Sequence, residues 1–241
     1  MKSPLRSRLR STMSVRRVLS AGQIAIGGHL GDWDEDGTGT SPALVRIQSG
    51  GGLSRSLLAL TFTDPNIYGP PTDNKGNTFG LLESSGYFAS RWSPYGMEAY
   101  GVANAVGGVD HDIQFTKTDA VRESTLLAIE VVNAPVIQDT SIVTRDGLGD
   151  GVPYVSASVT TTGPAMLIAS WGGDGGVAIA SQVVNVENGW TMLDSSFRTS
   201  TPYIQAAVAA RYVATAGTYT VQWTPVSSQG AILFLSAHQG A

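Results

Sequence analysis

Short apolar runs separated by glycine, asparagine, aspartate and proline dominate this chain. Four runs, at 57–62, 125–132, 166–171 and 231–235, are continuous. They are too brief for helices, and their uninterrupted apolar character predicts central strands covered on both faces. Elsewhere the pattern alternates. Val155, Ala157 and Val159 are interleaved with Ser156, Ser158 and Thr160, and Tyr219, Val221 and Trp223 with Thr220, Gln222 and Thr224. That period of two is the mark of a half-buried strand. Clusters of turn-forming residues, Asp73-Asn74-Lys75-Gly76-Asn77 and Asp146 to Gly151 among them, separate the strands. One stretch, Ile204 to Tyr212, has helical leanings. Its counterpart, Met97 to Ala103, is broken by Gly101, so both are predicted as strands.

The runs recur in order. Leu57–Phe62 matches Met166–Trp171, Phe79–Ser85 matches Trp190–Ser196, Ile113–Thr116 matches Val221–Thr224, and Thr125–Ile129 matches Ala231–Leu235. The separations stay between 106 and 111 residues, which is the length of a domain and too long for a solenoid unit. The pattern predicts an all-β chain of two tandem antiparallel β-sandwiches, jelly-roll or immunoglobulin-like, internally repeated. The first spans 18–134 and includes a lead-in strand, the second spans 135–241, and Asn133-Ala134-Pro135 joins them.

Charge adds a third part. Residues 1–17 hold Lys2, Arg6, Arg8, Arg10, Arg16 and Arg17 and no acid, while the remainder holds nine basic and nineteen acidic residues. The arm is therefore +6 and the body −10. Such an arm can dock on an acidic subunit surface, acidic lipid or nucleic acid. The body would repel a phosphate backbone everywhere except along the arm, so the expectation is a tether to a neighbouring subunit and no nucleic acid. The segment after the arm, Val18 to Gly28, is broken by Gln23 and glycines and lacks the apolar stretch of a secretory signal. No apolar run approaches the roughly 18 residues that cross a bilayer, so no membrane insertion is expected. Only 14% of residues are charged, which leaves a Ser-, Thr- and Gly-rich surface suited to burial against partners. With no cysteine, a disulfide scaffold, a cysteine zinc site and thiol catalysis are all excluded.

Candidate chemistry is sparse. Asp32, Asp34 and Asp36 alternate ahead of Gly37 and satisfy the first half of a calcium loop. Ala43 stands where the closing glutamate belongs, so weak calcium binding competes with a plain acidic turn. Asp146, Asp150 and Asp174 read as turn formers. An aromatic group, Tyr87, Phe88, Arg91, Trp92 and Tyr95, can stack sugar rings, anchor a subunit interface or simply pack. Trp171, Trp190 and Trp223 are expected in the core. Three histidines, His29, His111 and His238, lie far apart. His111 is flanked by Asp110 and Asp112, which project to the opposite face of a strand and form no triad with it. No nucleophile elbow, phosphate loop or zinc-protease helix is present, and no catalytic residue is assigned.

The turn Gly76-Asn77-Thr78-Phe79 or Asn188-Gly189-Trp190-Thr191, the Ala-rich strand Ala206–Tyr212, the Thr218–Trp223 strand and a closing apolar strand together resemble a known family. It comprises the repeated β-sandwich modules of phage tail-fibre, tail-tip and other virion proteins, also seen in bacterial surface proteins. The resemblance covers roughly 57–134 and 155–241. It implies a non-enzymatic structural protein assembled into a virion in the host cytoplasm, with other virion subunits and copies of itself as partners and no cofactor. The alternatives are a carbohydrate- or host-receptor-binding adhesion module working through residues 86–96 on a surface glycan, and a capsid decoration protein.

Overall fold

A computed structural model describes residues 22–37, 43–47, 53–63, 69–85, 96–115, 121–145, 151–173, 184–197, 205–225 and 230–241. Every regular element among them is a strand. The first unit holds β1 (Ala25–Gly37), β2 (Ala43–Ile47), β3 (Arg55–Thr63), β4 (Thr72–Asp73), β5 (Gly80–Ser85), β6 (Gly96–Val102), β7 (His111–Phe115) and β8 (Val121–Val132). The second holds β9 (Val136–Arg145), β10 (Tyr154–Val155), β11 (Val159–Thr161), β12 (Ala165–Gly173), β13 (Val184–Val186), β14 (Thr191–Phe197), β15 (Gln205–Val213), β16 (Gly217–Tyr219), β17 (Gln222–Pro225) and β18 (Ala231–Gln239).

In the first unit a five-stranded antiparallel sheet, β1-β8-β3-β6-β5, faces a three-stranded sheet, β2-β7-β4. First strand pairs with eighth, second with seventh and third with sixth, the wound-up hairpin of a jelly roll. The fourth such pair is missing, because β5 joins β6 in the larger sheet. The second unit has the sheets β9-β18-β12-β15-β14 and β10-β17-β13, which correspond strand for strand. It adds a β11–β16 ribbon at the corner between the two sheets.

Each unit has its own core between its two sheets. Leu57, Ala59, Tyr100, Ile113, Phe115 and Leu126 are among the residues filling the first, and Tyr154, Leu167, Trp171, Trp190, Trp223 and Leu233 among those filling the second. The expected core tryptophans are buried there, with Tyr154 and Trp171 at 5.3 Å and Trp171 and Trp223 at 6.4 Å between ring centres. A third core joins the units. Leu58, Leu60, Phe62, Leu127 and Ile129 of the first pack on Met166, Ile168, Val208, Ile232 and Phe234 of the second. The molecule is thus a stack of four sheets, and the two middle ones are apolar on both faces. This is why β3, β8, β12 and β18 read as runs that are apolar at almost every position.

The middle layer is reciprocal: β1 packs on β14, and β9, which holds the place of β1, packs on β5, which holds the place of β14. The same β-bulge interrupts both flanking strands, at Leu82 between Leu81 and Glu83 and at Leu193 between Met192 and Asp194. Counting across the ladders from these bulges pairs Glu83, Ala99, Leu60 and Leu127 with Asp194, Val208, Ser170 and Phe234. Matching Leu57 to Met166 and Leu127 to Leu233 on residue similarity is therefore one residue out of register. Leu57 faces its own unit's core and Met166 the shared layer. By the ladder count Phe62 and Gly172 are equivalents, and they touch. A Cβ on Gly172 would fall inside the Phe62 ring.

Gly172→Ala should therefore cost about 1–3 kcal/mol by overpacking, and Phe62→Leu should recover part of that loss in the double variant. Urea unfolding of the four members of the cycle checks this; simple additivity would mean that the two residues do not press on each other.

Candidate functional site

Three polar constellations are sealed among the apolar layers. The first is an ion pair on the own-core face of the first unit. Arg55 at the start of β3 donates through Nη1 to Glu130 of β8, and both side chains are essentially inaccessible. Arg55 Nε also donates to the Leu53 carbonyl at 3.0 Å. Gly27 and Gly107 make room for the pair, since a Cβ on Gly107 would strike Arg55 and Glu130 and one on Gly27 would strike Glu130. Ladder equivalence places Ala165 and Ala237 at the same positions in the second unit, where both belong to its apolar core.

The second is a knot at one end of the first unit. Asp73 of β4 accepts the backbone N–H groups of Lys75 at 3.2 Å and Asn77 at 2.9 Å, an Asx turn closed by Gly76 in the left-handed region. His111 at the head of β7 holds Asp73 Oδ2 through Nε2 at 2.7 Å. A carboxylate only accepts, so the proton of that bond sits on Nε2. His111 Nδ1 is buried without a partner. Burial raises the Asp73 carboxyl, but hydrogen bonds from Asn77 and His111 and the charge of His111 outweigh it and hold the group below its ordinary 3.8. Asn77 clamps the neighbouring turn through the N–H and carbonyl of Val106, and Lys75 Nζ donates to Val109 O. The carboxylate partner that Asp110 and Asp112 cannot provide thus comes from β4.

The third lies in the shared layer. His238 of β18 is fully buried, with Nδ1 2.7 Å from Ser56 Oγ of the first unit and Nε2 2.9 Å from Ser236 Oγ. Burial pushes its pKa down to about 3. At the flanks of the same layer Asp194 accepts Gly31 N at 2.8 Å and lies 3.7 Å from His29, while its equivalent Glu83 accepts Thr140 Oγ1 at 2.8 Å. Acidic side chains just after the two bulges thus reach across to the opposite unit.

The residues singled out by sequence fall elsewhere. Asp32, Asp34 and Asp36 belong to β1, with Asp32 opposite Leu126 and Asp34 opposite Ser124. The backbone there is extended and paired, so the turn expected at 32–37 does not form. Lys2, Arg6, Arg8, Arg10, Arg16 and Arg17 lie outside the described residues, as do Asp146, Asp150 and Asp174. Tyr87, Phe88, Arg91, Trp92 and Tyr95 also lie outside them, in the connection between β5 and β6, whose flanks Ser85 and Met97 are paired. On β6 Tyr100 donates to Glu98 at 3.0 Å, and burial followed by the carboxylate raises the phenol's pKa. Ladder equivalence puts Ala207 and Ala209 at these places in the second unit. A cleft of about 280 Å³ opens where the units join, between Ile24, Asn133, Pro164 and Gln239. Among the described residues no three His, Asp or Glu converge as metal ligands.

Sequence reasoning passed over Arg55, Glu98 and Glu130, and named His238 without giving it a role. Each stands inside or against an apolar strand, and an ionisable residue interrupting such a run was the available signal. No family model, no curated protein and no solved structure matches the chain.

Two outcomes follow from this geometry. Glu130→Ala takes the carboxylate away from a buried guanidinium and should cost about 3–5 kcal/mol, whereas Arg55→Ala/Glu130→Ala, which copies the second unit, should cost clearly less. A loss in the double variant equal to the sum of the two single losses in chemical denaturation would show that the pair is not coupled. Because the Asp73 carboxyl is lowered in the fold, its stabilisation is complete above about pH 3.8 and lost as the pH falls through the lower folded value. Asp73→Asn should flatten that part of the stability profile in unfolding measured between pH 5 and 2.5.

Proposed function

We propose that this chain is a non-enzymatic structural protein of a virion, a tail, fibre or tail-tip component of a tailed phage, acting through assembly. One observation carries this reading. Among the described residues, three sets of buried ionisable groups fasten strand to strand or unit to unit: Arg55 to Glu130, Asp73 to His111, and His238 between Ser56 and Ser236. They are arranged to hold a rigid block. With the largest sheet faces covering each other, the short strands of the outer sheets are left to meet neighbouring subunits. The proposed partners are other virion subunits and copies of the same chain, with the arm docking on an acidic neighbour.

A second reading is favoured by the difference between the units at β6. Glu98 and Tyr100 place a buried carboxylate and phenol on the strand that follows the aromatic segment 86–96 in sequence, where the second unit has only alanines. The aromatic segment itself, with Arg91 and Trp92, has the residue types that stack and hydrogen-bond sugars and supports recognition of a host surface glycan. Capsid decoration uses the same block in another place.

The structural reading expects the full chain to sediment as a defined oligomer or to form ordered assemblies by electron microscopy. Removal of residues 1–17 should impair incorporation into particles and leave the melting temperature nearly unchanged. A strictly monomeric chain that binds an immobilised glycan, and loses at least about tenfold in affinity on Trp92→Ala, would replace assembly by the glycan reading.

A further inference from the structure

The shared layer is built from equivalent positions, so each contact has a counterpart in which the units exchange roles. Ser56 is paired in its sheet with Val131, and Met166 in its sheet with His238. The ladder count makes Ser56 the equivalent of Met166 and Val131 the equivalent of His238. On one side of the layer the position pair is Met166 and Val131, both members of the shared apolar core. On the other it is Ser56 and His238, joined by a hydrogen bond. The layer therefore has an apolar solution for this pair of positions and replaces it once by a titratable one.

The surroundings give a charged ring nothing to face. On β18 the neighbours on the same face are Phe234 and Ser236, whose hydroxyl is also 3.5 Å from the Ile168 carbonyl. From β12 come Met166 and Ile168, from β3 Ser56 and Leu58, from β8 Ile129 and Val131, and Ile137 of β9 is the lateral partner. Among the described side chains, the ionisable groups of these strands turn elsewhere. Arg55 and Glu130 bind each other on the far face of β3 and β8. Asp139 is held by the N–H groups of Thr140 and Thr160. On the next strands out, Glu98 is bonded by Tyr100 on the first unit's own-core side, Arg211 lies near Gly189, and Tyr212 is half exposed at the rim. His29 and Asp194 approach each other at the β1–β14 flank. Among the described residues no carboxylate meets the imidazole.

We propose that His238 is an acid-sensitive latch between the two stacked units. Neutral, the ring donates one hydrogen bond and accepts another, joining Ser56 of one unit to Ser236 of the other. Protonated, it is a cation in an apolar layer, and opening the layer to water relieves it. The sign follows from the lowered pKa. The closed form takes up a proton only near pH 3, while the exposed ring does so near its ordinary 6.5. The closed stack is fully favoured above about pH 6.5, and between 6.5 and 3 each unit of acidification shifts the balance about tenfold towards opening.

The full chain tests this between pH 7.5 and 3.5, with exposure of apolar surface read by a dye such as ANS and sheet content by far-ultraviolet circular dichroism. The expected result is dye binding that rises on acidification while sheet content persists. His238→Val/Ser56→Met, which repeats the apolar pair, should move that transition at least about one pH unit lower. Because the chain has no cysteine, a second variant is available. Ser85 and Thr144 touch across the layer at 2.9 Å, so Ser85→Cys/Thr144→Cys should form a single bridge between units. Oxidised, it should abolish opening; reduction should restore it. An unshifted transition in the apolar variant, an unchanged one in the oxidised bridge, or loss of sheet content together with dye binding would each overturn the latch. Should the apolar variant not fold, the bridge alone decides.

Discussion

Burial of two five-stranded sheets against each other is the constraint on which the rest of this molecule depends. A sheet with one wet face can alternate apolar and polar residues, but a sheet between two cores cannot. Once β1-β8-β3-β6-β5 and its counterpart are placed back to back, every central strand must supply apolar side chains in both directions. Small residues are then needed where the sheets come closest, as at Gly172 beneath Phe62. The hydroxyls of Thr125 and Ser170 are buried there without a partner, but the ionisable groups on those strands bring partners with them. Arg55 brings Glu130, and His238 brings two serines.

Reciprocity makes these polar exceptions informative. Because the ladders can be counted from matching bulges, each exception in one unit has an apolar counterpart in the other: Arg55 and Glu130 against Ala165 and Ala237, Glu98 and Tyr100 against Ala207 and Ala209, Ser56 and His238 against Met166 and Val131. The fold accommodates either solution at the same positions. The polar choices therefore answer to something other than the architecture. At Arg55 the net stability gained over an apolar pair is expected to be small, since desolvation offsets much of the Coulomb attraction.

How far the sequence reaches follows from the same layering. Strand identity was legible, because runs such as 57–62 and 231–235 are too short and too apolar for anything but central strands. The correspondence of segments was legible in order but slipped in register at β3 and β8. In a half-wet strand the alternation itself fixes the register, and a shift of one residue is conspicuous. Leu57 to Phe62 offers no such mark, since Leu57 serves one core and Leu58 the other. Where a mark exists, as in Phe79 with Trp190 and Phe115 with Trp223, matching by residue type agrees with the own-core positions. The polar constellations were not legible for a different reason. His111 meets Asp73 from 38 positions away, and Ser56 meets His238 from 182 away, so sequence spacing carries no trace of either contact.

The stack also determines where other molecules can attach. An open sheet edge is a row of unpaired backbone groups and invites strand addition. Here the flanks of the two large sheets are engaged by the opposite unit: Asp194 takes the Gly31 N–H at the β1 edge, while Glu83 and Ser85 reach Thr140 and Thr144 at the β9 edge. The three-stranded sheets are treated differently. Among the described residues β2 and β4 each pair only with β7, and β10 and β13 only with β17. These short outer strands, with the rigid turn that Asn77 and Lys75 clamp at Val106 and Val109, form the periphery of a block whose interior is fully committed. A chain organised this way holds its two halves in fixed relation from within and leaves contact with its surroundings to the outermost layers.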